Sequence, residues 1–188
     1  MTTSSEAERL LLEEGVDSYV PAVSAILAFR ELVQSRCQQV VEHRLAEYRA
    51  ALGVPPDKCL PQSSEWPPTK KWDGKQAYLG VEIKDFGIPG ALLYHQLYWE
   101  LGEGEHWTTG VGAAIWLGQR DQLERLWNAF HPHPGLTRWK TNVIGLHEQV
   151  SRTEVADFDK KLDGVLCQWI KLWERAGGLK VLGAGGTS

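Results

Sequence analysis

The stretch ALLYHQLYWELGEGEHWTTGVGAAIWL, residues 91–117, holds two runs of apolar and aromatic residues around a glycine-containing turn. This pattern is typical of a β-hairpin and predicts strands at 91–101 and 106–117. With Glu103 and Gly104 as the two turn residues, Leu97 faces Gly110 and His95 faces Gly112. The other face then carries Tyr94, Tyr98, Trp107, Val111 and Ile115. Both faces are apolar, so both need a cover, either helices on each side or a second subunit.

The segments around this hairpin predict the rest of the sheet. Alternating residues at 77–86 indicate a strand before it, and 139–150 a fourth strand after it. A helix is expected at 118–130, and the Ser151/Glu154 capping box predicts a last helix that ends near residue 176. The sequence therefore predicts an α+β fold, with a four-stranded, mainly antiparallel sheet (β-β-β-α-β) flanked by a long N-terminal helix and a C-terminal helix.

Two helices are predicted ahead of the sheet. Ser5 and Glu8 form a capping box and Gly15 is a stop signal, which gives a short helix within residues 1–17. A longer helix begins at Pro21 and ends before Gly53. At about 1.5 Å per residue it would be about 48 Å long. It is expected to lie across the sheet or to pack against a second copy in a homodimer.

The predicted domain organisation is simple. Residues 18–178 are expected to form one α+β domain. Within it, residues 53–76 contain five prolines and are expected to form a loop without regular structure. The Gly-rich tail, residues 179–188, is expected to be flexible.

Composition narrows the class of protein. The chain has 188 residues and a net charge of −4, which argues against a general nucleic-acid binder. Its three cysteines are widely spaced and include no CxxC pair, so reduced thiols and a cytoplasmic location are expected. The N-terminus lacks the apolar core of a signal peptide, and no apolar run of about 18 residues indicates a membrane span.

A Glu-x-Lys pair is the main candidate for catalysis. Glu82 and Lys84 are two residues apart on a predicted strand and so share a face, where a carboxylate can hold Mg²⁺ beside an ammonium. This pair, with the order of elements, resembles the PD-(D/E)xK nucleases. The resemblance implies a Mg²⁺-dependent nuclease or a degenerate relative, with Asp73 as the upstream acid. The alternative is a solvated strand face or a cross-strand ion pair.

Cations next to tryptophans provide a second candidate site. Such a set can grip a phosphate backbone and stack a base, which would make nucleic-acid binding a further function. The residues are Lys70, Lys71, Trp72, Lys75, Arg138 and Lys140.

His131 and His133 could ligate a metal with a third ligand such as His147. Exposed loop histidines are the favoured interpretation, and no cofactor is predicted apart from Mg²⁺ for a nuclease.

The tip of the hairpin suggests the favoured function. Glu103 and Glu105 form an acidic knob with Trp99 and Trp107 at its base, and nine tryptophans in the chain are many. Charge can guide an encounter with another protein while tryptophan anchors it. No complete catalytic motif is recognised. The sequence therefore predicts a non-catalytic protein-binding module, of the kind found among small phage or bacterial inhibitors and adaptors.

Overall fold

The computed structural model of the chain describes residues 3–66, 76–84, 86–101, 107–139 and 141–183. The chain divides into two units, Met1–Val33 and Gln34–Ser188, whereas the predicted domain began at residue 18. None of the described helices combines the length and the hydropathy needed to cross a membrane.

Helix α1 (Thr3–Leu52) has no break at either predicted boundary. Gly15 does not stop it, and Pro21 lies inside it. Interior glycine and proline weaken a helix by about 1 and about 3 kcal/mol. The segment is otherwise rich in alanine, leucine, glutamate and arginine, which are strong helix formers, so the helix continues. The prediction of two separate helices is wrong.

The described residues form one antiparallel sheet of six strands, in the order β1-β2-β3-β4-β6-β5. The strands are β1 (Pro61–Trp66), β2 (Gln76–Lys84), β3 (Leu92–Leu101), β4 (Trp107–Trp116), β5 (Leu136–Trp139) and β6 (Val143–Gln149). The α+β class, the N-terminal helix and the C-terminal helix are confirmed. The prediction of four strands is wrong, because two strands were missed.

Both missed strands lie where proline or a tight turn hides the pattern. β1 is inside the predicted proline-rich loop; Pro61 is its first residue, a position at the sheet edge where the missing N–H is tolerated. The predicted strand at 139–150 contains β6 but only the last residue of β5; residues 141–142 form a turn, and β5 pairs with β6 as a hairpin.

The register of the central hairpin differs from the prediction by one residue. Tyr98 pairs with Gly110 and Gln96 with Gly112, while Leu97 pairs with Val111. Five residues, 102–106, separate the last described pair, Leu101 and Trp107, so a two-residue turn does not fit. A slip of one residue exchanges the faces of a whole strand. Val111 and Ile115 therefore share a face with Leu97, not with Tyr94 and Tyr98.

The helices pack on one side of the sheet, here called the helix face. The Trp169 indole N–H in α3 (Phe158–Ala176) donates to the Tyr48 hydroxyl over 2.9 Å, and that hydroxyl lies 3.3 Å from Nε2 of the buried His95. Phe130 of α2 (Arg120–Phe130) packs edge-on against Trp169 and Trp173, with ring centroids 5.2 Å apart. These contacts close the core of the Gln34–Ser188 unit.

The ends of α3 correct two further predictions. The Ser151 N–H donates to Glu154 Oε2 over 3.0 Å, which is one of the two bonds of a capping box, whereas the Glu154 N–H donates to the Ser151 carbonyl oxygen and α3 starts only at Phe158. Its C-terminal stop is confirmed, because Gly177 is left-handed with φ 80°. Residues 179–182 are not a flexible tail. They belong to a 3-10 helix, Gly178–Leu182, which buries Leu179 and Leu182.

Candidate functional site

The sheet side opposite the helices carries a set of half-buried rings, here called the aromatic face. The strand register places its members on that side, pointing away from the residues that contact α1 and α3. Within the described ranges, the helices contact the helix face, and each of these rings is half-buried. The members are Tyr78, Tyr94, Tyr98, Trp116, Trp139 and His147.

Glycines beneath the rings form the floor of the aromatic face. A Cβ atom at Gly110 would lie 2.5 Å from the Tyr98 hydroxyl oxygen. One at Gly112 would lie 2.5 Å from Cε1 of His147, and one at Gly145 would lie 2.8 Å from its Nε2. The missing side chains leave room for the Tyr98 and His147 rings above the neighbouring strands. The glycines of the floor thus lie directly beneath the Tyr98 and His147 rings.

His147 lies at the centre of this surface. Its ring makes edge contacts with Tyr98, at 5.3 Å between centroids, and with Trp139, at 3.6 Å. Both of its ring nitrogens are buried and have no hydrogen-bond partner among the described residues. Burial lowers the pKa of His147 to about 3, so the ring is neutral at physiological pH. Leaving a buried polar atom without a hydrogen bond lowers the free energy of unfolding by about 1–3 kcal/mol. Such atoms are uncommon in folded proteins and call for an explanation.

A polar corner borders the aromatic face on strands β1 to β3. Lys84 Nζ lies 2.7 Å from Glu82 Oε1, and the Ser64 hydroxyl donates to Glu82 Oε2 over 3.2 Å. Tyr78 and Tyr94 stand beside this pair, with ring centroids 5.9 Å apart. Burial raises the pKa of both phenols, so both stay protonated and can donate hydrogen bonds.

This geometry gives the nuclease alternative no further ligand. Glu82 and Lys84 do share a face, but as an ion pair within one strand. On the adjacent β1, the residues opposite Glu82 and Gly80 are Gln62 and Ser64, which are not acids. Asp73 lies outside the described residues. Across the described ranges, no three His, Cys, Asp or Glu side chains come together as a metal site.

The three histidines suggested as metal ligands have separate surroundings. His131 stacks against Trp127 at 5.4 Å, and His133 Nδ1 lies 2.6 Å from the Pro134 carbonyl oxygen. His147 is the member of the aromatic face.

The structure separates the described members of the predicted nucleic-acid site. Arg138 points to the helix face and makes a two-point ion pair with Glu124 of α2, at 2.6 and 3.1 Å. Trp139, the next residue, lies on the aromatic face. Lys70, Lys71, Trp72, Lys75 and Lys140 fall outside the described residues.

The acidic knob is described only at its base. Trp99 is half-buried on β3, where it pairs with Ala77 and Thr109. The backbone of Trp107 pairs with Leu101. Glu103 and Glu105 lie outside the described residues, so the knob stays a prediction.

No protein-family model, curated protein or solved structure matches this chain.

The geometry of the aromatic face is thus the basis for assigning a function. The sequence contained a signal for it: glycines at alternate positions of one predicted strand, Gly110 and Gly112, with Gly145 on the next. The predicted register placed Leu97 over Gly110 and His95 over Gly112, so it did not find Tyr98 and His147 at these positions.

Proposed function

We propose that this protein is a non-catalytic binding module that docks another protein on its aromatic face. The observation that supports this is the group of tyrosine, tryptophan and histidine rings that lie on a glycine floor, on the sheet side opposite the helices. Tyrosine and tryptophan provide large, rigid contact surfaces and lose little conformational entropy on binding. Tryptophan and tyrosine are also enriched among residues that dominate binding energies.

The polar groups of the face suit a partner with backbone or amide groups. Tyr78 and Tyr94 keep protonated hydroxyls, and His147 offers one donor and one acceptor nitrogen that no described residue uses. A partner that tilts the Trp139 ring aside would reach these nitrogens. The binding energy would then come from apolar contact, with a few hydrogen bonds to fix the orientation.

Charge favours a protein over a nucleic acid. The described residues on this side of the sheet include Glu82, Lys84 and Glu100, so carboxylates outnumber ammonium groups. Phosphate backbones are bound mainly by clustered cations. The three free thiols suit action in a reducing compartment such as the cytoplasm.

The test compares two half-buried tryptophans on opposite sides of the protein. We expect Trp139→Ala to lower the amount of co-purified partner protein at least tenfold, whereas Trp127→Ala on α2 should retain it. The partner is captured on tagged protein from host lysate, with and without nuclease, and quantified by mass spectrometry. Circular dichroism checks that both variants are folded. Equal capture by both variants, or loss of the captured material on nuclease treatment, would contradict the proposal.

A further inference from the structure

The N-terminal unit exposes a long row of apolar side chains. Each of its large exposed residues shows between 45% and 71% of its surface. They are Leu12, Val16, Tyr19, Val20, Ile26, Leu27, Phe29 and Leu32. Leaving out Leu32, which lies on another side of the helix, these residues expose on the order of 800 Å², which is the area that each partner buries in a stable interface of standard size. Soluble monomers rarely expose an apolar patch of this size.

The spacing of these residues is that of a coiled coil. Leu12, Val16, Tyr19, Val23 and Ile26 follow one another at steps of four, three, four and three, which is the a/d pattern of a heptad repeat. Val20 and Leu27 lie beside the d positions and widen the row on one side. Such a row fits the same row on another helix, because the knobs of one fill the holes of the other.

Small residues line the other flank of the row. Gly15 and Ala22 occupy one heptad position, and Phe29 follows at the same position one heptad later. If two copies pair antiparallel about Pro21, the large Phe29 of each lies next to Gly15 of the other. Ala22 then lies next to Ala22. This match of large with small side chains lets the two backbones approach closely.

Charge also favours the antiparallel arrangement. Parallel pairing would stack Arg9 on Arg9 and Arg30 on Arg30 at the first and last a positions of the row. It would also bring together two copies of residues 9–17, which carry three carboxylates and one arginine. Antiparallel pairing separates these like charges and opposes the two helix dipoles.

We propose that a second copy of this chain covers residues 9–33 of α1 as an antiparallel helix pair. The protein is then a homodimer held by its N-terminal unit. The proposed interface uses residues of the N-terminal unit, whereas the members of the aromatic face belong to the Gln34–Ser188 unit.

Sedimentation velocity of the full chain tests the dimer. We expect a dimer for the wild type and a monomer for the double variant Val16→Lys/Ile26→Lys. Leu32→Lys is the matched control, because Leu32 is also 56% exposed but lies outside the heptad row; this variant should remain dimeric. A wild type that stays monomeric up to about 100 µM, a range in which stable dimers with Kd near 1 µM form, would overturn the proposal. So would an unchanged dimer in the double variant.

Cysteine cross-linking tests the orientation without disrupting the interface. On mild oxidation, Ala22→Cys should give a disulfide-linked dimer, since the two Ala22 residues are neighbours in the antiparallel pair. Val16→Cys should not, because antiparallel pairing places Val16 opposite Ile26. The wild type, with its own three cysteines, sets the background. Cross-linking of Val16→Cys but not of Ala22→Cys would overturn the antiparallel arrangement.

Discussion

At the scale of single residues, two buried histidines set the response to acid. His95 lies on the helix face and His147 on the aromatic face, and burial lowers the pKa of each from 6.5 to about 3. Between these two pH values the two histidines are protonated in the unfolded chain and neutral in the folded chain. The free energy of unfolding therefore falls as the pH drops below about 6.5, by up to about 1.4 kcal/mol per pH unit for each histidine.

Replacing His147 by Phe should reduce this dependence. Urea unfolding between pH 6.5 and 5 should show an average slope lower than that of the wild type by about 1 kcal/mol per pH unit, since one of the two titrating rings is gone. Above pH 7.5, where both rings are neutral in either state, the difference between the two proteins should not change with pH. An unaltered slope below pH 6.5 would contradict the assignment of a neutral, buried His147.

At the scale of elements, the glycine floor determines how the rings lie on β4 and β6. Gly112→Ala should destabilise the fold by about 1–3 kcal/mol, because overpacking forces the His147 ring off its place. The same change should raise the His147 pKa toward 6.5 by lifting the ring into solvent. Urea unfolding and the NMR titration of the ring protons measure the two effects.

A second glycine provides the matched control. Gly164 is inside α3, and a Cβ atom there would meet nothing within 4 Å. Gly164→Ala should therefore stabilise the protein by about 0.5–1 kcal/mol, the gain of alanine over glycine within a helix. If Gly112→Ala were equally stabilising, a glycine at residue 112 would not be needed for the packing of the His147 ring.

Most of the helices and strands could be predicted from the periodicity of the sequence. The strands at 76–84, 92–101 and 107–116 and the helices α2 and α3 follow periods of two and of 3.6 residues, and they were predicted to within a few residues, apart from the start of α3. β1 was not found because its apolar content is low and prolines flank it. The register of β3 against β4 could not be predicted, because two-residue and longer turns both accommodate the glycines between them.

At the scale of the whole molecule, the Gln34–Ser188 unit contains the sheet and a hydrophobic core of its own. A fragment of residues 34–188 should fold, unfold in one cooperative urea transition, and sediment as a monomer because it lacks the heptad row of α1. It should also retain the partner captured by the full chain. A fragment that is unfolded, or that remains a dimer, would contradict the proposal that the N-terminal unit forms the dimer and that the Gln34–Ser188 unit folds by itself.

The proposed function rests on the arrangement of the whole sheet. The spacing of Glu82 and Lys84 correctly predicts that they share a face, but their ion pair lies within one strand, whereas the predicted alternative was a cross-strand ion pair. The aromatic face was not found, because its members come from five strands and lie up to 69 residues apart in the sequence, from Tyr78 to His147. Only the order of strands and their register bring these rings together.

The buried thiol of Cys37 makes the packing of α1 on the sheet measurable over time. Its side chain has no exposed surface, its Sγ lies 4.0 Å from the Leu79 carbonyl oxygen, and burial raises its pKa to about 12. Cys167, in contrast, is half-exposed on α3. A thiol reagent should thus modify Cys167 at once and Cys37 only when the helix lifts from the sheet. Because Cys59 is also fully buried, the measurement uses a Cys59→Ala variant, in which the slow phase of labelling reports how often α1 separates from the sheet.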